Sequence, residues 1–329
     1  MSDLEFDTAI PGLPGGAREA ATAAEEMGFD GVFSAETSHD AFLPVPIAAE
    51  HTDDVEISTR IALSFTRSPM VLAYMAWDLA AYSGGRFALG LGTQVKGHNE
   101  RRFSVDFEWE SPGPRLREVV ESLRHIWDVW QGEEERLDYQ GEFFQFDLMT
   151  EFFDPGPIDD PDVPIYIAGV NEYNLHLAGE LCDGLAMHPL NAPEYTEEVI
   201  VPAVREGAEE AGRSLEDVQL AASPMVITGE TEEEIERNRE ATRRQIAFYG
   251  STRTYHVILD HLGFDDVGPQ LHELSVEGKF GEMPELVTDE MLYTFAIEAP
   301  PGEVADEVRD AYGDVADRAS IPLEAGEGI

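Results

Sequence analysis

Lysine is nearly absent from this chain. Only Lys96 and Lys279 are lysine among 329 residues, and arginine supplies the other basic groups, so 21 basic side chains face 67 acidic ones. The formal net charge of −46 argues against a surface built for nucleic acid or anionic lipid, because such a field repels both at low salt. It also opposes the compact state by self-repulsion, which fades where the Debye length shrinks to ~3 Å near 1 M salt. A protein from a salt-filled, halophilic cytoplasm is therefore expected, with an ordinary acidic enzyme as the plainer alternative. Cysteine is as scarce: Cys182 stands alone, so no intrachain disulfide and no Cys-x-x-Cys zinc site is available. Apolar runs fall far short of the ~20 residues that span a bilayer. The opening MSDLEFDT lacks the apolar stretch of a secretory signal. A soluble, cytoplasmic protein is expected.

What is present is a sizeable core: 43% of the residues are hydrophobic, enough for one large α/β barrel or two ordinary domains. The stretch from Ile57 to Phe103 is the most informative. Two β-type runs, Ile57 to Thr66 and Arg86 to Gly92, flank a helix-type run, Pro69 to Ser83. The second strand is apolar at nearly every position, as a parallel strand covered on both faces reads. Both strands run into polar, Gly-containing segments, and in α/β folds such C-terminal strand ends hold ligands.

The alternation continues from end to end. Strands are expected at Leu4 to Thr8, Gly31 to Ala35, Val163 to Ala168, Gly184 to Met187, Val218 to Thr228 and Val315 to Pro322. Helices are expected at Gly15 to Met27, Pro46 to His51, Asn171 to Cys182, Glu194 to Ala211, Thr231 to Ala247 and Glu303 to Tyr312. The helix Pro112 to Trp130 carries Leu116, Val119, Val120, Leu123, Ile126, Trp127 and Trp130 on one face. Eight strands with intervening helices over this length favour a single (β/α)8 TIM barrel over a doubly wound sheet. One domain over residues 1–329 is expected, with insertions at about 132–162 and 250–291, where Gly, Pro and Asp interrupt the pattern.

Several strand ends carry candidate chemistry. His39 follows the second strand, which on a barrel places an imidazole at the catalytic mouth; a solvated loop histidine is the plain alternative. Ser64, Phe65 and Thr66 end the third strand and by themselves read as a simple exit. Gly90-Leu91-Gly92-Thr93 ends the fourth. It lacks the third glycine of a dinucleotide fingerprint, and no helix is expected directly after it; its glycines suit a planar ring approaching the backbone. The polar loop Gln94 to Phe103 holds Lys96, Asn99, Arg101 and Arg102, a basic cluster suited to an anion or simply a solvated loop. Ala168-Gly169-Val170-Asn171 joins a strand to a helix, where free N–H groups can hold phosphate or Asn171 can serve as an N-cap. His188, Tyr249 and Tyr255 are candidates to line the mouth. His256 and His261 have no carboxylate at metal-binding spacing, so no metal site is expected.

SGGRFALGLGTQV, preceded by TRSPMVLAYMAWDLA, resembles the luciferase-like monooxygenase superfamily, as do EEMGFDGVFSAET, PIYIAGVNEYNLHLAGELCDGLAMHP and AGRSLEDVQLAASPMVITG. The C-terminal blocks are similar to a subgroup of probable coenzyme F-420-dependent oxidoreductases. The resemblance implies a (β/α)8 barrel and hydride transfer between coenzyme F-420 and a small organic substrate. It implies that His39 contacts the deazaflavin ring and that Ser64-Phe65 forms a strand-3 bulge holding a non-prolyl cis peptide. It also implies that Gly92, Thr93 and Asn99 border the cofactor and that Ala168, Gly169, Val170 and Asn171 hold its phosphate. The chain departs from relatives at Leu43, where several carry an aromatic residue, and at Gln94-Val95, where some carry an acid. An FMN-dependent two-component monooxygenase is the alternative, and a non-catalytic flavin-binding protein the third reading. A small-molecule substrate and no nucleic-acid or membrane partner are expected, and the apolar helical faces allow a homodimer.

Overall fold

The computed structural model describes residues 4–105 and 112–329. Among them, eight strands form a closed parallel barrel: β1 (Glu5–Ala9), β2 (Gly31–Ser34), β3 (Glu56–Thr59), β4 (Phe87–Gly92), β5 (Ile165–Ala168), β6 (Gly184–Ala186), β7 (Gln219–Ala222) and β8 (Arg318–Ser320). Neighbours in sequence pair in parallel, and β1 pairs with β8 through Glu5↔Arg318 and Asp7↔Ser320, which closes the cylinder. The expected barrel is therefore the observed one. β4, apolar throughout, is buried at all six positions.

Helices cover the outside. In Pro112–Gln131 all seven residues expected on one face are buried. Trp127 stacks on Trp77 of the helix Pro69–Ser83 with centroids 6.3 Å apart, and its indole N–H donates to the Ala73 carbonyl at 3.2 Å. Burying such side chains is worth roughly 1.5–3 kcal/mol each. Ser68 caps the helix Pro69–Ser83, and Gly84, in the left-handed region, ends it.

Three expected elements change shape. The third strand is not continuous to Thr66. Ser58 pairs with Ala88 but Ala62 with Leu91, so four residues advance against three and the strand bulges by one. The cis peptide lies in this bulge, between Arg60 and Ile61, not at Ser64-Phe65; Ser64–Thr66 forms a turn of 3-10 helix instead. The seventh strand splits at Ser223-Pro224. Its second half, Met225–Ile227, leaves the barrel and pairs in parallel with Ala296–Glu298. The polar loop after β4 contains a short helix, Lys96–Arg101, and residues 250–291 hold the helices His256–His261 and Val267–Val276. No helix among the described residues is long and apolar enough to cross a membrane.

Candidate active site

Side chains alternate across a strand, so every second residue of each stave faces the barrel axis. At the N-terminal half this alternation places charge inside. Asp7 and Arg318 are 1% and 4% exposed, and Arg318 donates to Asp7 through Nε at 3.0 Å and through Nη2 at 2.5 Å. Arg60, from the bulge, adds Nη2 to the same carboxylate at 2.7 Å. Burial alone would raise the Asp7 carboxyl, but Arg60 and Arg318 outweigh it and hold it below the ordinary range. Glu56, 3.7 Å from Arg318, goes the other way: burial raises it despite Arg318. The pair needs Gly31, because a Cβ there would stand 2.4 Å from Asp7 Oδ1 and 2.7 Å from Arg318 Nη2.

Above this charged floor a cavity of about 370 Å³ opens at the C-terminal strand ends. The alternation that buries Tyr166, Gly184 and Ala221 lower down brings Ala168, Ala186, His188 and Ser223 to its wall, with Phe33, Arg60 and Ile61 opposite. A second space of about 470 Å³ adjoins it at the ends of β1 and β8, sharing Phe33, Pro224, Val226 and Ser320. Both sit at the face where barrels hold ligands.

The sequence candidates fall into three places. His188, Tyr249 and Tyr255 come together although His188 lies two residues past β6, Tyr249 in the last turn of the helix Glu232–Gly250 and Tyr255 in the 3-10 turn Arg253–Tyr255. The His188 ring stands 4.6 Å from Tyr249 and 4.1 Å from Tyr255, centroid to centroid. The Leu190 amide donates to His188 Nδ1 at 3.0 Å, which puts the ring proton on Nε2. Burial pushes this imidazolium down to about 3, so the ring is neutral at ordinary pH. Burial likewise raises the Tyr255 phenol, to about 12.

Ala168 lines the cavity, and Gly169 packs so closely that a Cβ would stand 2.8 Å from Asn174 Cβ. Asn171 is an N-cap: its side chain accepts from the Asn174 amide at 2.9 Å, at the start of the helix Glu172–Leu181. Val170 is half-buried.

His39 is exposed and outside the lining of both cavities. Its loop hangs on Arg67, which bonds Glu36 at 2.8 Å and Asp40 at 2.5 Å. The loop also accepts a bond from Arg102 to the Thr37 carbonyl, and the ring rests against Gly12, where a Cβ would lie 3.1 Å from His39 Cβ. Ser64 and Phe65 are buried outside the cavity lining, and Ser64 Oγ donates to the Gly92 carbonyl at 3.1 Å. Thr66 turns back to Leu63. Gly92 leaves room for Ile61, whose Cδ1 would be 2.6 Å from a Cβ there. Fully buried Asn99 donates to the Thr93 carbonyl at 2.8 Å and so ties the β4 loop from behind.

Arg60, Ile61, Arg67 and Ser223 were not among the candidates. Alternate charges in short strands, Glu5 and Asp7 in one and Arg318 in another, were the available signal of a charged interior. Among the described residues no group of three His, Cys, Asp or Glu could hold a metal ion.

The sequence profile described as Luciferase-like monooxygenase matches residues 9–318. An uncharacterized protein of Mycobacterium tuberculosis is 42% identical over 320 residues, covering 97% of this chain and 93% of that one. The 5,10-methylenetetrahydromethanopterin reductase of Methanopyrus kandleri is 28% identical over 278 residues, 80% of this chain and 75% of the reductase. The solved structure of the coenzyme F-420 dependent tetrahydromethanopterin reductase from that organism superposes with a TM-score of 0.79 at 23% identity, covering 99% of this chain and 96% of the other.

Proposed function

We propose, for a chain that belongs to the luciferase-like monooxygenase family, an oxidoreductase that works with coenzyme F-420 on a small organic substrate. The observation that carries this reading is the cavity at the strand ends, where small residues and a neutral histidine share one wall and face Phe33, Arg60 and Ile61. A planar ring needs a slot without side chains standing in it. Ala168 and Ala186 offer one methyl each to the cavity, while Gly92, outside its lining, gives Ile61 the room to reach it. The residues therefore fit such a ring. Arg60 and Ile61 of the bulge, not Ser64, Phe65 and Thr66, line the cavity, and Ser64 bonds the Gly92 carbonyl outside it.

When bound, the deazaflavin supplies or accepts a hydride at C5. The protein's share is placement. His188, with its proton on Nε2, faces a substrate oxygen from the wall that Tyr249 and Tyr255 stiffen. His39, exposed on the loop after β2, would border the ring from the rim. Gly169, Val170 and Asn171 would hold the phosphate with backbone N–H groups at the start of the helix Glu172–Leu181. Glu172, exposed in the first turn of that helix, opposes an anion there, as does the charge of −46. Salt removes both penalties, so affinity for the anionic coenzyme rises with salt, in keeping with a halophilic cytoplasm as the working medium. We read residues 1–329 as one domain, with 132–162 and 250–291 as insertions.

The test is absorbance of reduced coenzyme F-420 in molar KCl with a panel of small ketones, aldehydes and unsaturated compounds. Coenzyme-dependent turnover supports the reading. Oxygen consumption with reduced FMN and none with F-420 replaces it by the monooxygenase alternative that the family name allows.

A further inference from the structure

Arg60 is held on three sides, and one of its two amino arms is left without a partner. Its Nη2 pairs with Asp7 at 2.7 Å, its guanidinium lies over the Phe33 ring at 4.7 Å, and its backbone N–H donates to the Ser34 carbonyl at 2.8 Å. The side chain is 6% exposed. Yet Nη1 is buried without a hydrogen-bond partner among the described residues, and Arg60 lines the 370 Å³ cavity. A buried charged donor left unpaired carries a desolvation penalty that an acceptor removes. Asp7 does not serve both arms, because Arg318 already takes its carboxylate twice.

The surrounding charge narrows what the acceptor is. Two guanidiniums, Arg60 and Arg318, meet three carboxylates, Glu5, Asp7 and Glu56. Burial draws Glu56 toward its neutral acid. The cluster therefore carries no net positive charge. An entering carboxylate would find no net positive charge and a strongly acidic protein around it, whereas a neutral oxygen meets a directed N–H at no electrostatic cost.

We infer that Arg60 is the polar anchor of the cavity, donating from Nη1 to a neutral carbonyl oxygen of the molecule bound there. Such an oxygen comes from either of two sources, a carbonyl substrate or a ring carbonyl of the cofactor. The second source rests on the function proposed above; the first does not.

The experiment measures dissociation constants by calorimetry in molar KCl for wild type, Arg60→Met and Arg60→Lys. The probes are acetophenone, its near-isosteric hydrocarbon ethylbenzene, and coenzyme F-420 alone. Arg60→Lys keeps a charge for Asp7 but loses the second amino arm, which guards against an effect of folding; circular dichroism checks both variants. If the substrate supplies the oxygen, wild type prefers acetophenone over ethylbenzene by at least about tenfold and both variants lose that preference. If the cofactor supplies it, both variants bind F-420 about tenfold more weakly and treat the two aromatics as wild type does. Folded variants that bind all three probes as wild type does overturn the inference. A wild type that ignores F-420 but shows the acetophenone preference keeps the Arg60 anchor and removes the coenzyme from the proposal.

Discussion

Two histidines stand just past the C-terminal ends of barrel strands, His39 after β2 and His188 after β6. In the sequence they look alike, each a histidine following a short apolar run. In the structure one lies exposed on a loop suspended from Arg67, and the other is packed between two tyrosines with its tautomer set by the Leu190 amide. Position along a stave places a side chain at the mouth. What it can do there depends on neighbours from distant parts of the chain, and those neighbours give His188 a fixed, neutral ring while His39 stays in reach of solvent.

The comparison breaks most forcefully at the floor that supports both. Asp7→Asn leaves Arg60 and Arg318 buried without their shared carboxylate, so unfolding in molar salt becomes easier by about 3–5 kcal/mol, read from urea titrations. Exchange protection should fall on every stave.

Acid acts next, on His188. The unfolded His188 imidazole takes a proton near its ordinary 6.5, while the native ring resists to about 3. Between those values the unfolded chain binds the extra proton, so stability falls as pH falls. The full effect is about 1.4 kcal/mol per pH unit. His188→Phe should therefore lose less stability than wild type between pH 7 and pH 5, by at most about 2 kcal/mol, measured as paired urea midpoints.

Cutting the tether of the exposed loop has a local effect. Arg67→Met removes the ion pairs to Glu36 and Asp40 and should cost about 1–2 kcal/mol. Hydrogen exchange should quicken around residues 36–42 and stay unchanged around 186–190. Loss of protection at both sites would mean that the loop and the wall form one cooperative unit. The smallest change in stability belongs to His39→Ala, within about 0.5 kcal/mol of wild type for an exposed side chain. Its effect should appear as slower coenzyme-dependent turnover.

The cylinder itself was legible because its signals are local. The run from Phe87 to Gly92 is apolar at every position but its glycines, and the helix Pro112–Gln131 repeats its apolar face at helical spacing, so burial could be read directly. Interruptions were harder. The hydrophobic run through Val218 to Thr228 hides the departure of Met225–Ile227, because its partner Ala296–Glu298 lies about 70 residues away. The bulge at Arg60–Ile61 shows only once β4 is laid beside β3. The short helix Lys96–Arg101 carries a glycine and too few apolar residues to announce itself. Of the site, His188, Tyr249 and Tyr255 could be suspected from aromatic chemistry near strand ends. Arg60 could not, since its meaning comes from Asp7 two staves away and Phe33 on the neighbouring stave.

The central claim is that the strand-end mouth is a coenzyme F-420 site. Fluorescence titration of oxidised F-420 into the wild-type protein, at rising KCl up to molar concentration and beside FMN, tests it most directly. The account predicts saturable F-420 binding that tightens with salt and is stronger than FMN binding throughout. Saturable FMN binding with no F-420 binding in molar salt, by a folded protein, would contradict it.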